Sequence, residues 1–159
     1  MDLKIEQLTA IIDAREQTPW DLSPMRIQSG TLSVGDYSVA GLESIVAIER
    51  KSLQDFVMCC GSERDRFQRE LDRLRGWPCH AVIIEAGWGE IELAQWRGKL
   101  TSKQVMASFT AWIAQGHCLI LGRDSKTSAL IARGILFYAA RYRHREASAL
   151  MAGLDVVGV

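Results

Sequence analysis

Asp36, Glu49 and Lys51 are the residues in this chain whose types and spacing could do chemistry together. Two carboxylates and an ammonium brought to one point suit metal-assisted hydrolysis of a phosphodiester. The acids supply oxygen ligands to Mg²⁺ or Mn²⁺, which keeps waters and accepts a phosphate oxygen. The lysine can orient or deprotonate the attacking water, or stabilise charge that develops on the phosphoryl group. Asp13, which closes the apolar run Leu8–Asp13, is a further acid for the same cluster.

Elements that would gather these residues can be read from the pattern around them. Thr31 to Glu49 reads as a β-hairpin, with Val34–Val39 and Ile45–Glu49 as arms and Gly41-Leu42-Glu43-Ser44 as the turn. A turn centred on Leu42 and Glu43 sets Asp36 directly opposite Glu49, with Cβ atoms roughly 5 Å apart. Lys51 shares the face of Glu49 if the strand continues that far. Solvated cross-strand pairs on an exposed hairpin would use the same residue types. Against that stands the apolar run Ile45–Ile48 just before Glu49, which places the acid beside a core.

Beyond the hairpin, Arg15–Ser23 reads as a loop, and Ser52 with Asp55 starts a helix carrying Leu53, Phe56, Val57 and Cys60 on one face. Gly61 ends it. Ser62 with Asp65 repeats the start signal for a second helix, whose apolar stripe is Phe67, Leu71 and Leu74. Arg66, Arg69 and Arg73 line another face of this helix, either along a phosphate backbone or paired with Glu63, Glu70 and Asp72. Ala81–Ile84 and Cys118–Leu121 read as buried strands. A helix from Ser102 lies between them, and a last one runs from Ser125 to about Arg145. Arg141, Arg143, His144 and Arg145 would sit at its C-terminus, complementing the dipole or forming a second DNA patch. Gly87–Trp96 reads as loop-like, with Trp88 and Trp96 packed in the core or stacked on a base. The expected architecture is a single α/β domain over 1–150 with a mixed central sheet flanked by helices, followed by a tail over 151–159.

The linked set Gly35-Asp36-Tyr37, Glu49-Arg50-Lys51 and Asp55 resembles the GD…ERK…D signature of the XPF-type structure-specific endonucleases. Asp13-Ala14-Arg15-Glu16 is similar to that family's D-x-R-E, and Arg66-Phe67 with Arg73-Leu74 to its R-F…R-L helix. The resemblance implies a restriction-endonuclease-like fold and an Mg²⁺- or Mn²⁺-dependent endonuclease. It implies metal binding by Asp13, Asp36 and Glu49, and catalysis by these with Lys51. Glu16 and Asp55 would be supporting acids, Arg15 and Arg50 would contact phosphate or orient carboxylates, and Arg66, Arg69 and Arg73 would bind DNA. Branched or flapped DNA, in repair or recombination, is the implied substrate, with a homodimer or a nuclease partner subunit. The tandem helix-hairpin-helix module of that family is not legible, with no G-x-G hairpin between Arg143 and Val159, so a stand-alone nuclease domain is expected.

Composition constrains the rest. The 159 residues carry 19 basic and 19 acidic side chains, so any DNA surface must come from local clustering. Cysteines 59, 60, 79 and 118 have no zinc-site spacing and read as reduced thiols. No signal peptide or membrane-length apolar run is legible, and an intracellular, soluble protein of cytoplasm or nucleoid (nucleus if eukaryotic) is expected. Three rivals remain open: a non-catalytic DNA-binding subunit, a junction-resolvase or restriction-like nuclease, and a small-molecule metalloenzyme.

Overall fold

A computed structural model describes residues 2–156 of the chain. Six strands form one mixed sheet in the order β2-β1-β3-β4-β5-β6. They are β1 (Thr9–Asp13), β2 (Arg26–Gly30), β3 (Tyr37–Val39), β4 (Val46–Ser52), β5 (Cys79–Glu85) and β6 (Leu119–Leu121). β1 pairs parallel to β2, β3 runs antiparallel to both β1 and β4, and β4, β5 and β6 are parallel. Helices α1 (Leu53–Cys60), α2 (Arg64–Leu74), α3 (Trp88–Glu92) and α4 (Ser102–Ala114) are joined by the long α5 (Ser125–Val156).

Strand alternation builds two cores. Val46, Ile48, Ala81 and Ile83 face α5, packing with Tyr37, Leu136 and Ala132. Ala47, Val82 and Ile84 face the other way, against Phe56, Phe67 and Trp112 from α1, α2 and α4. With a period of two, Glu49 and Lys51 follow Ala47 onto the α1–α2 side, while Arg50 follows Ile48 onto the opposite side. Among the described residues no helix is long and apolar enough to cross a membrane.

Several sequence expectations are corrected. The edge strand β2 is absent from the sequence reading because Arg26-Ile27-Gln28-Ser29 is wholly exposed and lacks an apolar face. The first hairpin arm shrinks to Tyr37–Val39, since residues 31–36 must cross the end of β1 from β2 to reach β3. Gly35 turns within that crossing at φ +76°. Trp88–Glu92 is a short helix rather than a loop. α2 starts at Arg64 without a side-chain cap, so Ser62 is not its starting residue. α5 continues unbroken past position 150 to Val156, so Arg141–Arg145 lie inside a helix and not at its end. The tail expected from 151 is helical as far as Val156, and its last three residues lie outside the described ones.

Other readings match. Ser52 caps α1 by accepting the Asp55 N–H at 3.1 Å, and Tyr37 pairs with Ile48, the register that sets Asp36 against Glu49. A Cβ on Gly35 would lie 3.0 Å from the Ile48 carbonyl oxygen, the same oxygen that accepts the Asp36 N–H. Gly35→Ala is therefore expected to cost on the order of 1–3 kcal/mol in urea denaturation, from the positive φ and the displaced ladder bond. A cost below about 0.5 kcal/mol would show that this turn is not strained.

Candidate active site: an acidic cleft at the strand ends

Where β1, β3 and β4 meet, Asp36 and Glu49 line one cleft on two sides. Toward α2 they are joined by Arg15, Gly35, Glu70 and Arg73 around a cavity of about 190 Å³. Toward α1 the same two acids meet Glu16, Thr18, Arg50, Ser52 and Asp55 around about 390 Å³.

Burial raises the affinity of both acids for protons. Asp36 is pushed up to about 6, chiefly by loss of water, against the Arg50 N–H that donates to its Oδ2 at 2.8 Å. Glu49 is pushed up to about 7 by burial and then by the charge of Asp36. Lys51 Nζ lies 3.1 Å from Glu49 Oε1 and 3.3 Å from Glu70 Oε2, over the face of Phe67 at 5.4 Å. Burial would lower its pKa, but Glu49 and Glu70 override that and keep the ammonium charged. The Glu70 contact is off the hydrogen-bonding direction, so Oε2 is buried without a hydrogen-bond donor.

Asp13 is employed differently. Its carboxylate accepts from Arg15 Nε at 2.7 Å, Arg15 Nη2 at 3.1 Å, the Arg15 N–H at 3.0 Å and the Leu32 N–H at 2.9 Å. It thereby staples the crossing loop to the end of β1, and the Arg15 guanidinium beside it holds its carboxyl well below the usual range. Among the described residues no three metal-ligating groups converge as a ready cage. Of the three acids expected to bind metal, Asp36 and Glu49 face the cleft together, and the bonds of Asp13 go to Arg15 and Leu32. Two half-buried carboxylates facing one cleft, beside water-accessible space, form a donor set that fits a hard divalent cation.

On the other face of β4, Arg50 donates to Glu85 Oε1 at 2.7 Å, to the Thr18 carbonyl and to Glu16 at 3.3 Å, and its guanidinium lies over Trp20 at 5.4 Å. Trp20 Nε1 donates to the same Glu85 oxygen at 2.6 Å. Arg50 thus orients Asp36 through its backbone, while Glu85, Glu16 and Thr18 hold its side chain. Of the expected DNA-binding arginines, Arg66 pairs with Glu63 at 2.6 Å, Arg69 is exposed, and Arg73 lines the acid cleft.

Glu70, Glu85 and Trp20 were not singled out from sequence. Glu70 had a signal: it falls beside Phe67, Leu71 and Leu74 on the buried stripe of α2. Glu85 closes an apolar strand just as Asp13 does.

The model for the ERCC4 domain family matches residues 12–132. The structure is similar to XPF from Aeropyrum pernix, at 19% identity and TM-score 0.66, covering 93% of this chain and 73% of that one. It is also similar to XPF from the same organism in complex with DNA, at 21% identity and TM-score 0.66, covering 84% of this chain and 65% of the other. No curated protein matches the sequence.

Because the carboxyls of Asp36 and Glu49 hold protons more tightly in the fold than in the unfolded chain, folding is favoured at low pH. That advantage is lost as pH rises from about 4 through about 7, where the folded acids ionise. In EDTA, Asp36→Asn should therefore raise stability at pH 8 by on the order of 2 kcal/mol and leave it nearly unchanged at pH 4. Thermal melts at the two pH values read this out, and an equal effect at both would discount the repulsion.

Proposed function

The chain belongs to the ERCC4 domain family, and we propose that it is a DNA endonuclease dependent on Mg²⁺ or Mn²⁺ that hydrolyses branched or flapped DNA. The observation that carries this reading is the pair Asp36 and Glu49, half-buried and opposed in the β3–β4 register at one cleft, with Lys51 beside Glu49. Asp36 and Glu49 would hold the cation, and the Arg50 N–H fixes the orientation of the Asp36 carboxylate. A bound divalent ion would activate a water and stabilise charge on a phosphate oxygen.

Lys51 acts in this scheme as a cation. Glu49 and Glu70 both favour its charged form, so stabilising a negatively charged phosphoryl oxygen suits it better than removing a proton. Arg73 at the cleft and the exposed Arg69 would engage the phosphate backbone, and Arg15 adds an exposed guanidinium on the opposite wall. Binding of DNA by the Aeropyrum pernix XPF supports the substrate class. Such a substrate implies an intracellular setting.

A partner subunit of similar fold, or a second copy, forms the second half of the proposal. The α5 face carries a groove of about 730 Å³, lined by Ile45, Leu130, Ile131, Ile135, Tyr138 and Tyr142 among others. Leu130, Tyr138 and Tyr142 are each about half exposed, a contiguous apolar area that suits an interface. Light scattering of wild type beside Tyr138→Lys tests it. A dimer that the substitution dissociates is expected, whereas a monomeric wild type that recruits no related subunit would remove the proposal.

Cleavage of labelled flap, fork, junction and plain duplex DNA, with Mg²⁺, Mn²⁺ or EDTA, separates the rivals. Wild type should cut the flap or fork with either metal and not in EDTA. Asp36→Asn and Lys51→Ala should each lower the rate by at least about 100-fold while DNA binding persists. Preferred cutting of junctions would favour a resolvase, binding without cutting a DNA-binding subunit, and neither a small-molecule enzyme.

A further inference from the structure

Resting on the reading of the acid cleft as a DNA-cleaving site, we propose that the loop Trp96–Leu100 is a phosphate-binding loop. It would hold the DNA backbone on the α1 side of the cleft. The loop is short and pinned at several points. Trp96 Nε1 donates to the Leu100 carbonyl at 3.0 Å, closing it on itself. Leu100 packs so tightly on Gly61 that a Cβ there would meet its side chain at 3.0 Å. Gln54 then grips the loop twice: its Nε2 donates to the Arg97 carbonyl at 3.0 Å, and its Oε1 accepts the Arg97 N–H at 2.9 Å.

That grip fixes the loop relative to the site. Gln54 lies between Ser52 and Asp55, which both line the acid cleft, so the loop is fastened to its rim. Gly98, at φ +127°, allows the sharp reversal that leaves Arg97 and Lys99 both exposed on either side of it. Nothing in the fold uses these two charges. Among the described residues neither forms an ion pair, unlike Lys51, which two glutamates hold, and Arg66, which Glu63 holds.

Two unneutralised cations on a rigid turn repel each other unless an anion lies between them. A polyanionic backbone is the chemistry they match, because phosphates repeat at a spacing that adjacent cations can follow. A groove of about 350 Å³ between the loop and α1, lined by Gln54, Met58, Ser62, Arg97 and Lys99, gives that backbone a path. Gln54 seats the loop beside Ser52 and Asp55 at the α1 side of the cleft, so a strand held there would continue toward Asp36 and Glu49. The contact is to phosphates, so it adds affinity and register without reading sequence.

Fluorescence anisotropy of labelled flap DNA, with Ca²⁺ replacing Mg²⁺ to prevent cutting, tests the loop over a series of salt concentrations. The double variant Arg97→Ala/Lys99→Ala should weaken binding about 10-fold or more at low salt, and reduce the log–log salt slope by about 1–2. Gln54→Ala keeps both charges and should weaken binding less, with the slope unchanged. Lys4→Ala, at the far end of β1, controls for simple loss of charge and should bind as wild type does. If wild type binds DNA and the folded double variant matches its affinity and slope, the loop proposal is overturned while the cleft reading stands. If wild type itself binds no DNA, both fall together.

Discussion

Asp36 and Glu49 are held against each other on antiparallel neighbours, with most of the water removed, and this repulsion organises the surrounding structure. Each carboxylate would lower its energy by moving apart, yet the β3–β4 register and the Ile48 carbonyl bond to the Asp36 N–H keep them in place. The chain around them supplies partial compensation: a backbone N–H to Asp36 and an ammonium to Glu49. Neither offsets the loss of water, which raises the proton affinity of both acids, and for Glu49 the charge of Asp36 adds to it. On the proposed reading, a cation entering such a site would stabilise it, so stability in the free chain would be exchanged for affinity.

Holding the register requires the crossing loop, and that explains the separate fate of Asp13. A chain passing from β2 to β3 over the end of β1 leaves backbone groups that no sheet ladder can satisfy. Asp13 accepts the Leu32 N–H, while Arg15 donates to the Leu32 carbonyl at 3.3 Å, so one ion pair closes both. Gly35 and Asp36 follow directly in that loop. The Glu49-Arg50-Lys51 triplet completes the arrangement by splitting across the sheet. Glu49 and Lys51 face α2, and Arg50 locks the opposite side through Glu85, Glu16 and Trp20. A three-residue run thus ties both cores to one cleft.

Sequence reasoning reached the features governed by local period. The β4 alternation, the Ser52 cap, the Asp36–Glu49 register and the buried strands β5 and β6 are legible because apolar spacing and turn residues determine them. β2 was not, since an exposed edge strand needs only backbone partners and leaves no side-chain pattern. The reach of α5 to Val156 was missed because its second half carries charges and small residues where a stop seemed due. At the site, proximity in sequence identified the motif acids. Glu70 and Glu85 arrive from α2 and β5 by tertiary packing, which no spacing rule encodes. The same limit applies to Asp13: its type and place at a strand end were evident, but its capture by Arg15 and Leu32 depends on a crossing that the hairpin reading did not contain.

Equal numbers of acids and bases leave any DNA surface to local clustering, and the placement of the charges bears on the proposed partner. Basic groups near the core are neutralised by interior partners, as Arg50 is by Glu85 and Glu16 and Lys51 by Glu49 and Glu70. Asp36 and Glu49 count as two negative charges in the total, yet on the proposed reading they are the charges a divalent ion cancels. With that ion in place, the excess negative charge at the cleft would be cancelled, because a bound divalent cation is the largest charge in its surroundings. Arg73 would then border a site that no longer repels phosphate. Net charge sums over groups that never meet the ligand, whereas attraction at the cleft depends on which groups remain unpaired at its rim.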